Sequence, residues 1–252
     1  SIAQPNYGIL TNRGRSHLEG FGGVEGSRRG KGEWFDFLNA TGGRAFVPAD
    51  DNVLSEMAAE RENMAVEYFA FATSNGVEHQ LEGDYNLKNI AAAMSIGRYF
   101  DVDENRIRHA IATYTPTNNR SQRTVTDHNT LIVDCYNANP SSMRASLESF
   151  LSERSKLPRV CILGDMLELG EWSAEEHRSI VELIAAADFE RIWLVGKHFT
   201  EAATTIANNP RVSCFASREQ VAERLETDPI EGALVLVKGS HSIGLEKLIP
   251  LL

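Results

Sequence analysis

The chain has 252 residues, 42% hydrophobic and 24% charged, with a formal net charge of −10. That is an ordinary globular composition with ample core for one large domain or two modest ones. The acidic balance argues against a nucleic-acid surface as the main business, though not against a small basic pocket for phosphate. No apolar run reaches membrane-spanning length and no signal-peptide pattern opens the sequence, so a cytoplasmic protein is expected. Three cysteines, Cys135, Cys161 and Cys214, fall in or beside expected strands, with no CxxC pair. They read as reduced thiols packing as small hydrophobes. Cys135 lies beside a polar cluster, but nothing near it in sequence looks like the base a nucleophile needs.

Residues 7–12 read as a strand ending in polar side chains, followed by a glycine-rich loop over 14–26 that contains His17 and Glu19. A helix carrying Lys31, Trp34, Phe35 and Leu38 is expected next, then strands at 44–47 and 68–72 with a helix at 53–59 between them. These are few strands for a free-standing sheet, so this part is expected to be the tail of a larger domain. The run Gly26-Ser-Arg-Arg-Gly30-Lys31-Gly32 is a near miss for a phosphate loop. That motif needs four residues between its glycines and Ser or Thr after the lysine; here there are three, and a glycine follows. From Gly83, Asp84 or Asn86 can cap a helix with apolar positions at Leu87, Ile90, Ala91 and Met94, and Asn89 sits in its first turn. A helix over 104–114 ends before Pro116, and the domain boundary is placed at 115–119, giving domains 1–115 and 116–252.

Beyond that boundary, strands at 131–133, 160–163, 192–195, 212–215 and 234–237 alternate with helices. Ser173-x-x-Glu176 and Ser217-x-x-Gln220 both fit the capping box. The alternation predicts an α/β fold with a parallel, doubly wound sheet. Leu131-Ile-Val-Asp134-Cys-Tyr136-Asn137-Ala-Asn139-Pro140 reads as a buried strand, a polar turn and a helix start that Ser141 or Ser142 can cap. In such a sheet ligands sit beyond the carboxyl ends of the strands, which places Asp134, Asn137 and Asn139 at a candidate site. A second polar cluster, Asn118-Asn119-Arg120-Ser121-Gln122, lies just upstream. Other strand ends carry Gly164-Asp165-Met166-Leu-Glu168, Gly196-Lys197-His198 and Lys238-Gly239-Ser240-His241. Each alone is equally a solvated loop.

Together these segments resemble the Mur ligase family. The matching runs are Thr11-Asn12-x4-His17-Leu18-Glu19-Gly20-Phe21-Gly22, Lys31-Gly32-Glu33, Gly83-Asp84-Tyr85-Asn86-x2-Asn89, Asn118 to Gln122, Asp134-x-Tyr136-Asn137-Ala138-Asn139-Pro140, Gly164-Asp165-Met166-x-Glu168-Leu169-Gly170 and Lys238-Gly239-Ser240. Seven in order make a specific signal. The resemblance implies a C-terminal Rossmann-like domain preceded by the later part of a P-loop-type central ATPase domain. The family's uridine-binding domain and P-loop lysine have no counterpart here, so the chain is expected to be a fragment, inactive alone. His241 stands where the family commonly has arginine, and no role is carried over to it.

The implied activity is ATP-dependent amide formation through an acyl phosphate in peptidoglycan precursor synthesis. Tyr136-Asn137-Ala138-Asn139-Pro140 points to the branch joining D-alanyl-D-alanine to UDP-N-acetylmuramoyl-tripeptide. ATP and Mg²⁺ are the implied cofactors, and a monomer is expected. By the same resemblance His17 and a carbamylated Lys31 would hold magnesium, Asn86 and Asn89 would meet adenine, and Arg120 would pair with phosphate. Asp134 would accept from the ribose and Asn137 would lie against the nucleotide, with Asn139, Asp165, Met166 and Glu168 as candidates for the dipeptide. Read from the residues alone, His17 is a loop histidine, Lys31 a surface helix lysine, Asn86 a helix cap and Arg120 a linker ion-pair partner. Two alternatives stay open: a stand-alone, non-catalytic Rossmann-like module for a nucleotide or amino acid, and a sibling ligase adding a different amino acid.

Overall fold

The computed structural model describes residues 4–12, 18–116, 119–206 and 208–252. The described residues form two compact units, the first drawn from the stretch up to Tyr114 and the second centred on Thr115–Leu252. The first holds β1 (Tyr7–Ile9), the second half of α1 (Leu18–Phe21, whose Leu18 and Glu19 count with the second unit), α2 (Val24–Thr41), β2 (Arg44–Pro48), α3 (Asn52–Ala59), β3 (Ala65–Phe69), α4 (Tyr85–Tyr99) and α5 (Glu104–Thr113). Its strands pair in parallel in the order β1-β2-β3. Alternate residues of β2 face opposite ways. Ala45 and Val47 pack with Phe35 and Leu38 of α2 and with Leu54 and Met57 of α3, while Phe46 packs with Ala91 and Ala92 of α4.

Three expectations are corrected in this unit. The glycine-rich stretch expected as a loop is helical from Val24, and α2 absorbs Gly26, Gly30 and Gly32. One of these has a packing reason: a β-carbon on Gly32 would lie 3.3 Å from the Arg61 guanidinium. The strand expected at 68–72 lies earlier, at Ala65–Phe69, and residues Phe71–Ser74 form a 3₁₀ turn. Neither Asp84 nor Asn86 caps α4 with its side chain.

The second unit contains β4 (Gln122–Val125), β5 (Thr130–Asp134), α6 (Pro140–Ser152), β6 (Arg159–Gly164), α7 (Ser173–Ala186), β7 (Arg191–Val195), α8 (Lys197–Ala203), β8 (Val212–Phe215), α9 (Arg218–Thr227) and β9 (Leu234–Lys238). The five expected strands form the parallel part of a six-stranded sheet ordered β4-β5-β9-β6-β7-β8. The sixth, β4, is an antiparallel edge strand that the hydrophobic pattern does not announce. Side chains such as Ile132, Leu163 and Leu194 pack under α6, α7 and α8; Val133, Ile162 and Val195 face α9 and the C-terminal turns. Burial on both faces is why the strands read as continuous apolar runs. The helix starts differ from expectation. Asn139, not a serine, caps α6 in a reciprocal box with Ser142, with Pro140 in the first turn. Ser173 lies inside α7 and makes no cap, and Ser217 makes no side-chain cap on α9.

Three polar contacts pin the carboxyl edge of this sheet. The innermost strand, β9, ends in Lys238, which is fully buried. Sheet register sets it opposite Asp134, and its Nζ lies 2.6 Å from Asp134 Oδ2. At the end of β6 the Asp165 carboxylate accepts from the backbone N–H groups of His198 (3.0 Å) and Phe199 (2.8 Å) at the start of α8. Gly196, at φ 113°, is obligatory there, because a β-carbon would lie 2.4 Å from the Asp165 carboxyl carbon. Finally, buried His177 on α7 accepts the Met166 N–H on Nε2 (3.0 Å). Its Nδ1 therefore carries the proton and donates to the Ser173 carbonyl (2.7 Å), making a neutral imidazole.

Burial holds the His177 pKa below the ordinary 6.5. Above that value both folded and unfolded imidazoles are neutral and the contribution is fully present. Below it the unfolded chain takes a proton that the buried ring resists, so stability is lost as pH falls. Urea titrations from pH 7.5 to 5.5 should show parent stability falling relative to His177→Gln by at most about 1.4 kcal/mol per pH unit; parallel profiles would refute the neutral ring. Lys238→Met strands the Asp134 charge and should cost about 3 kcal/mol in the same assay, with Asp134→Asn in that background recovering most of it.

Candidate functional site

Beyond the carboxyl ends of β5, β6 and β9 lies a cleft of about 240 Å³, lined by residues 136–139, 167–168 and 240–242. Three strand-end motifs far apart in sequence meet there because β9 inserts between β5 and β6. The antiparallel β4 adds the fourth. Gln122 pairs with Val133, and the Cys135 N–H donates to the Asn119 carbonyl (2.8 Å), so residues 119–122 run beside 133–136. Through that pairing the Arg120 guanidinium stacks 3.7 Å over the Tyr136 ring. Both groups are exposed. Stacking orients a guanidinium while leaving its edge N–H groups available to an oxyanion. The His241 ring lies 6.2 Å from that of Tyr136.

The expected site residues divide by what already engages them. Asp134 is held on one oxygen, Oδ2, by Lys238 Nζ and by the Ser146 hydroxyl at 3.4 Å. Asn137 is exposed, and its carbonyl accepts from Lys238 Nζ (3.3 Å). Asn139 uses Oδ1 to cap α6, accepting the Ser142 N–H at 2.9 Å, and its amide nitrogen has no such duty. Glu168 lines the cleft at φ 60°. Asn119 and Ser121, at φ 54° and 48°, are also left-handed. Non-glycine residues rarely adopt that region, and such strain concentrates where a fold positions groups for a ligand.

Two dipeptide candidates are already engaged by the fold. The Met166 side chain is fully buried in the core beneath α6, α7 and α8. Both Asp165 oxygens are committed to the start of α8. A motif pattern marks a position as special without saying whether it serves a ligand or the fold.

In the first unit, half-buried Lys31 on α2 donates to the Asn12 carbonyl (3.3 Å). Burial lowers its pKa, opposed by the nearby Asp51 carboxylate, so the neutral amine is favoured more than for a free lysine. Asn86 is buried; its amide donates to the Glu82 carbonyl (2.7 Å), and its Oδ1 accepts from Asn89 (2.9 Å). The pair is pre-oriented at the start of α4. His17 lies outside the described residues. Among the described residues no three His, Cys, Asp or Glu side chains gather as a metal site. No helix among them is long and apolar enough to cross a membrane.

Sequence reasoning missed Lys238, His177 and Ser240 as organisers of the cleft. The Ser240 hydroxyl accepts the Leu167 N–H at 3.1 Å, tying the β9 end to the β6 loop. One signal was available for the first: a lysine closing an all-apolar strand requires a buried anion.

Comparison with known proteins gives the family. A Mur ligase middle-domain model matches residues 1–82, and a Mur ligase glutamate-ligase-domain model matches residues 119–241. A UDP-N-acetylmuramoyl-tripeptide–D-alanyl-D-alanine ligase of Treponema pallidum is 32% identical over 273 residues, covering all of this chain and 59% of the relative. The Escherichia coli protein of the same name is 28% identical, covering 99% of this chain and 60% of its own length. The chain thus spans about 60% of the relatives it matches. Among solved structures, MurF from Acinetobacter baumannii superposes with TM-score 0.80 at 23% identity, covering 99% of this chain and 60% of that one. The Thermotoga maritima MurF ligase solved with ADP gives 0.79 at 20%, covering 98% and 61%. The fold agrees with both, and the chain belongs to the Mur ligase family.

Proposed function

We propose that this chain is the nucleotide- and acceptor-handling portion of a ligase that joins D-alanyl-D-alanine to UDP-N-acetylmuramoyl-tripeptide at the expense of ATP. The observation that carries the reading is the cleft itself: Arg120 stacked on Tyr136 of its lining, Glu168 on its rim, and Asp134 paired with Lys238 at the strand end behind it, in a chain whose relatives bear that ligase's name. In the reaction the substrate carboxylate attacks the γ-phosphorus, ADP leaves, and an acyl phosphate forms. The dipeptide amine then attacks the acyl carbon. The resulting tetrahedral intermediate loses a proton and inorganic phosphate to leave the amide.

Little covalent chemistry falls to the protein, whose task is positioning and charge neutralisation. Arg120 presents donors to phosphate oxygens. Asp134, paired with Lys238, accepts from a ribose hydroxyl through Oδ1, and Asn137 lies against the nucleotide. Asn86 and Asn89, each able to donate and accept, read the adenine edge. Asn139, through its amide nitrogen, and Glu168 face the dipeptide.

Magnesium, when bound, neutralises phosphate charge. It prefers oxygen ligands. Lys31 fits as a provider, since burial favours the neutral amine that adds carbon dioxide, and the carbamate supplies two oxygens. His17 is the second candidate ligand. The chain's place is the cytoplasm, where the nucleotide-linked precursor is made, and it works as a monomer.

The test joins this chain to the front part its relatives possess and measures phosphate release from ATP. Release should require both UDP-N-acetylmuramoyl-tripeptide and D-alanyl-D-alanine; release indifferent to the dipeptide, or satisfied by a single amino acid, would overturn the substrate assignment. Arg120→Ala should lower turnover about 100-fold, the scale for removing one oxyanion donor. An unchanged rate would remove Arg120 from the machinery.

A further inference from the structure

The loop after β6 carries Glu168 to the cleft, and its shape is held from behind. The Met166 N–H goes to His177 Nε2 (3.0 Å), the Leu167 N–H to Ser240 Oγ (3.1 Å), and the Asp165 carbonyl accepts the Ser240 N–H (3.3 Å). Two residues on, Glu168 takes φ 60° and Gly170 φ 54°, a path that needs outside support.

We infer that His177 is the positioning residue for the acceptor side of the cleft, fixing the 166–168 loop through Met166 so that Glu168 meets the dipeptide. The inference rests on the ligase reading above and deepens it. His177 takes no direct part in chemistry, because it is fully buried. Ser173 Oγ at 3.3 Å and Asp165 at 3.8 Å resemble a hydrolytic triad around it. The resemblance is empty: Ser173 is itself buried, and Asp165 is engaged by α8. What remains is the acceptor nitrogen, available only on a neutral ring. The groups facing the ring are Asp165 at the end of β6, His198 and Phe199 on α8 with ring centroids at 5.3 and 4.6 Å, and Ser173 on its own helix. Burial and His198 disfavour its cation, while Asp165 and the Ser173 carbonyl favour it. A proton on Nε2 would set donor against donor at Met166 and release the loop.

Two variants separate this role from mere support of the fold. His177→Asn keeps a donor near the Ser173 carbonyl and loses the acceptor; His177→Gln reaches Met166 with its amide oxygen. In the protein restored with its front part, His177→Asn should raise the KM for D-alanyl-D-alanine about five- to tenfold, the scale of one hydrogen bond. The KM for ATP should stay within about twofold, and His177→Gln should stay near the parent on both. Equal rises in both constants, or none in His177→Asn, would overturn the inference.

If His177→Asn does not fold, His177→Leu decides: it fills a similar volume and offers the Met166 N–H no acceptor. Its dipeptide KM should rise as for His177→Asn, with the KM for ATP within about twofold of the parent. An unchanged dipeptide KM would overturn the inference. Backbone hydrogen exchange at Met166 and Leu167 distinguishes failure of the substrate reading. Should phosphate release prove independent of dipeptide, faster exchange in His177→Asn than in His177→Gln still supports the loop role, and equal exchange refutes it.

Discussion

A primary ammonium is buried at the end of the innermost strand of the second sheet, and the surrounding architecture answers to it. Lys238 cannot sit there charged without an anion, and Asp134 is set opposite by sheet register. The same ammonium takes the Asn137 carbonyl, so one group fixes both the end of β5 and the turn that floors the cleft. A well-packed apolar pair would serve stability as well or better. The ionic pair adds something an apolar pair cannot, a carboxylate fixed at the end of β5, next to the turn that lines the cleft.

The polar groups at this edge divide into those facing inward and those facing the cleft. Asp165 holds α8, Asn139 caps α6 and His177 holds Met166, each aligning an element or loop. Asn137 and Glu168 line the cleft, and Arg120 stands beside it on the Tyr136 ring. This division suits phosphoryl and acyl transfer, where catalysis is largely electrostatic and a misplaced donor costs more than a missing one. Mur ligase membership supplies the chemical context for this arrangement.

Backbone strain follows the same division. Asn119 and Ser121 on one segment and Glu168 on another are held in left-handed conformations at or beside the cleft. Each is flanked by a hydrogen bond to another strand end: the Asn119 carbonyl to Cys135, and the loop bearing Glu168 to His177 and Ser240. The sheet holds geometries at these three residues that the local chain would not choose, and of the three Glu168 lines the hollow.

The sequence by itself determined the α/β class, the five parallel strands and the family. These follow from runs of apolar residues at strand length, helical spacing between them, and seven motifs in order. It also located the cleft's contributors, since polar residues at strand ends can only gather at the carboxyl edge of a parallel sheet. Only the tertiary structure decided what each contributor does. Lys238 and Asp134 are 104 residues apart, and no local pattern says that they touch. Asp165 and Met166 share a motif with Glu168 yet face the fold, because side-chain direction depends on where α8 and α7 come to rest. The antiparallel β4, alternating half-buried and exposed at the sheet edge, carries too little apolar signal to be read, and without it Arg120 would have no place on Tyr136. Short-range periodicity is written in the chain; pairing between distant strand ends exists only once the sheet has closed around them.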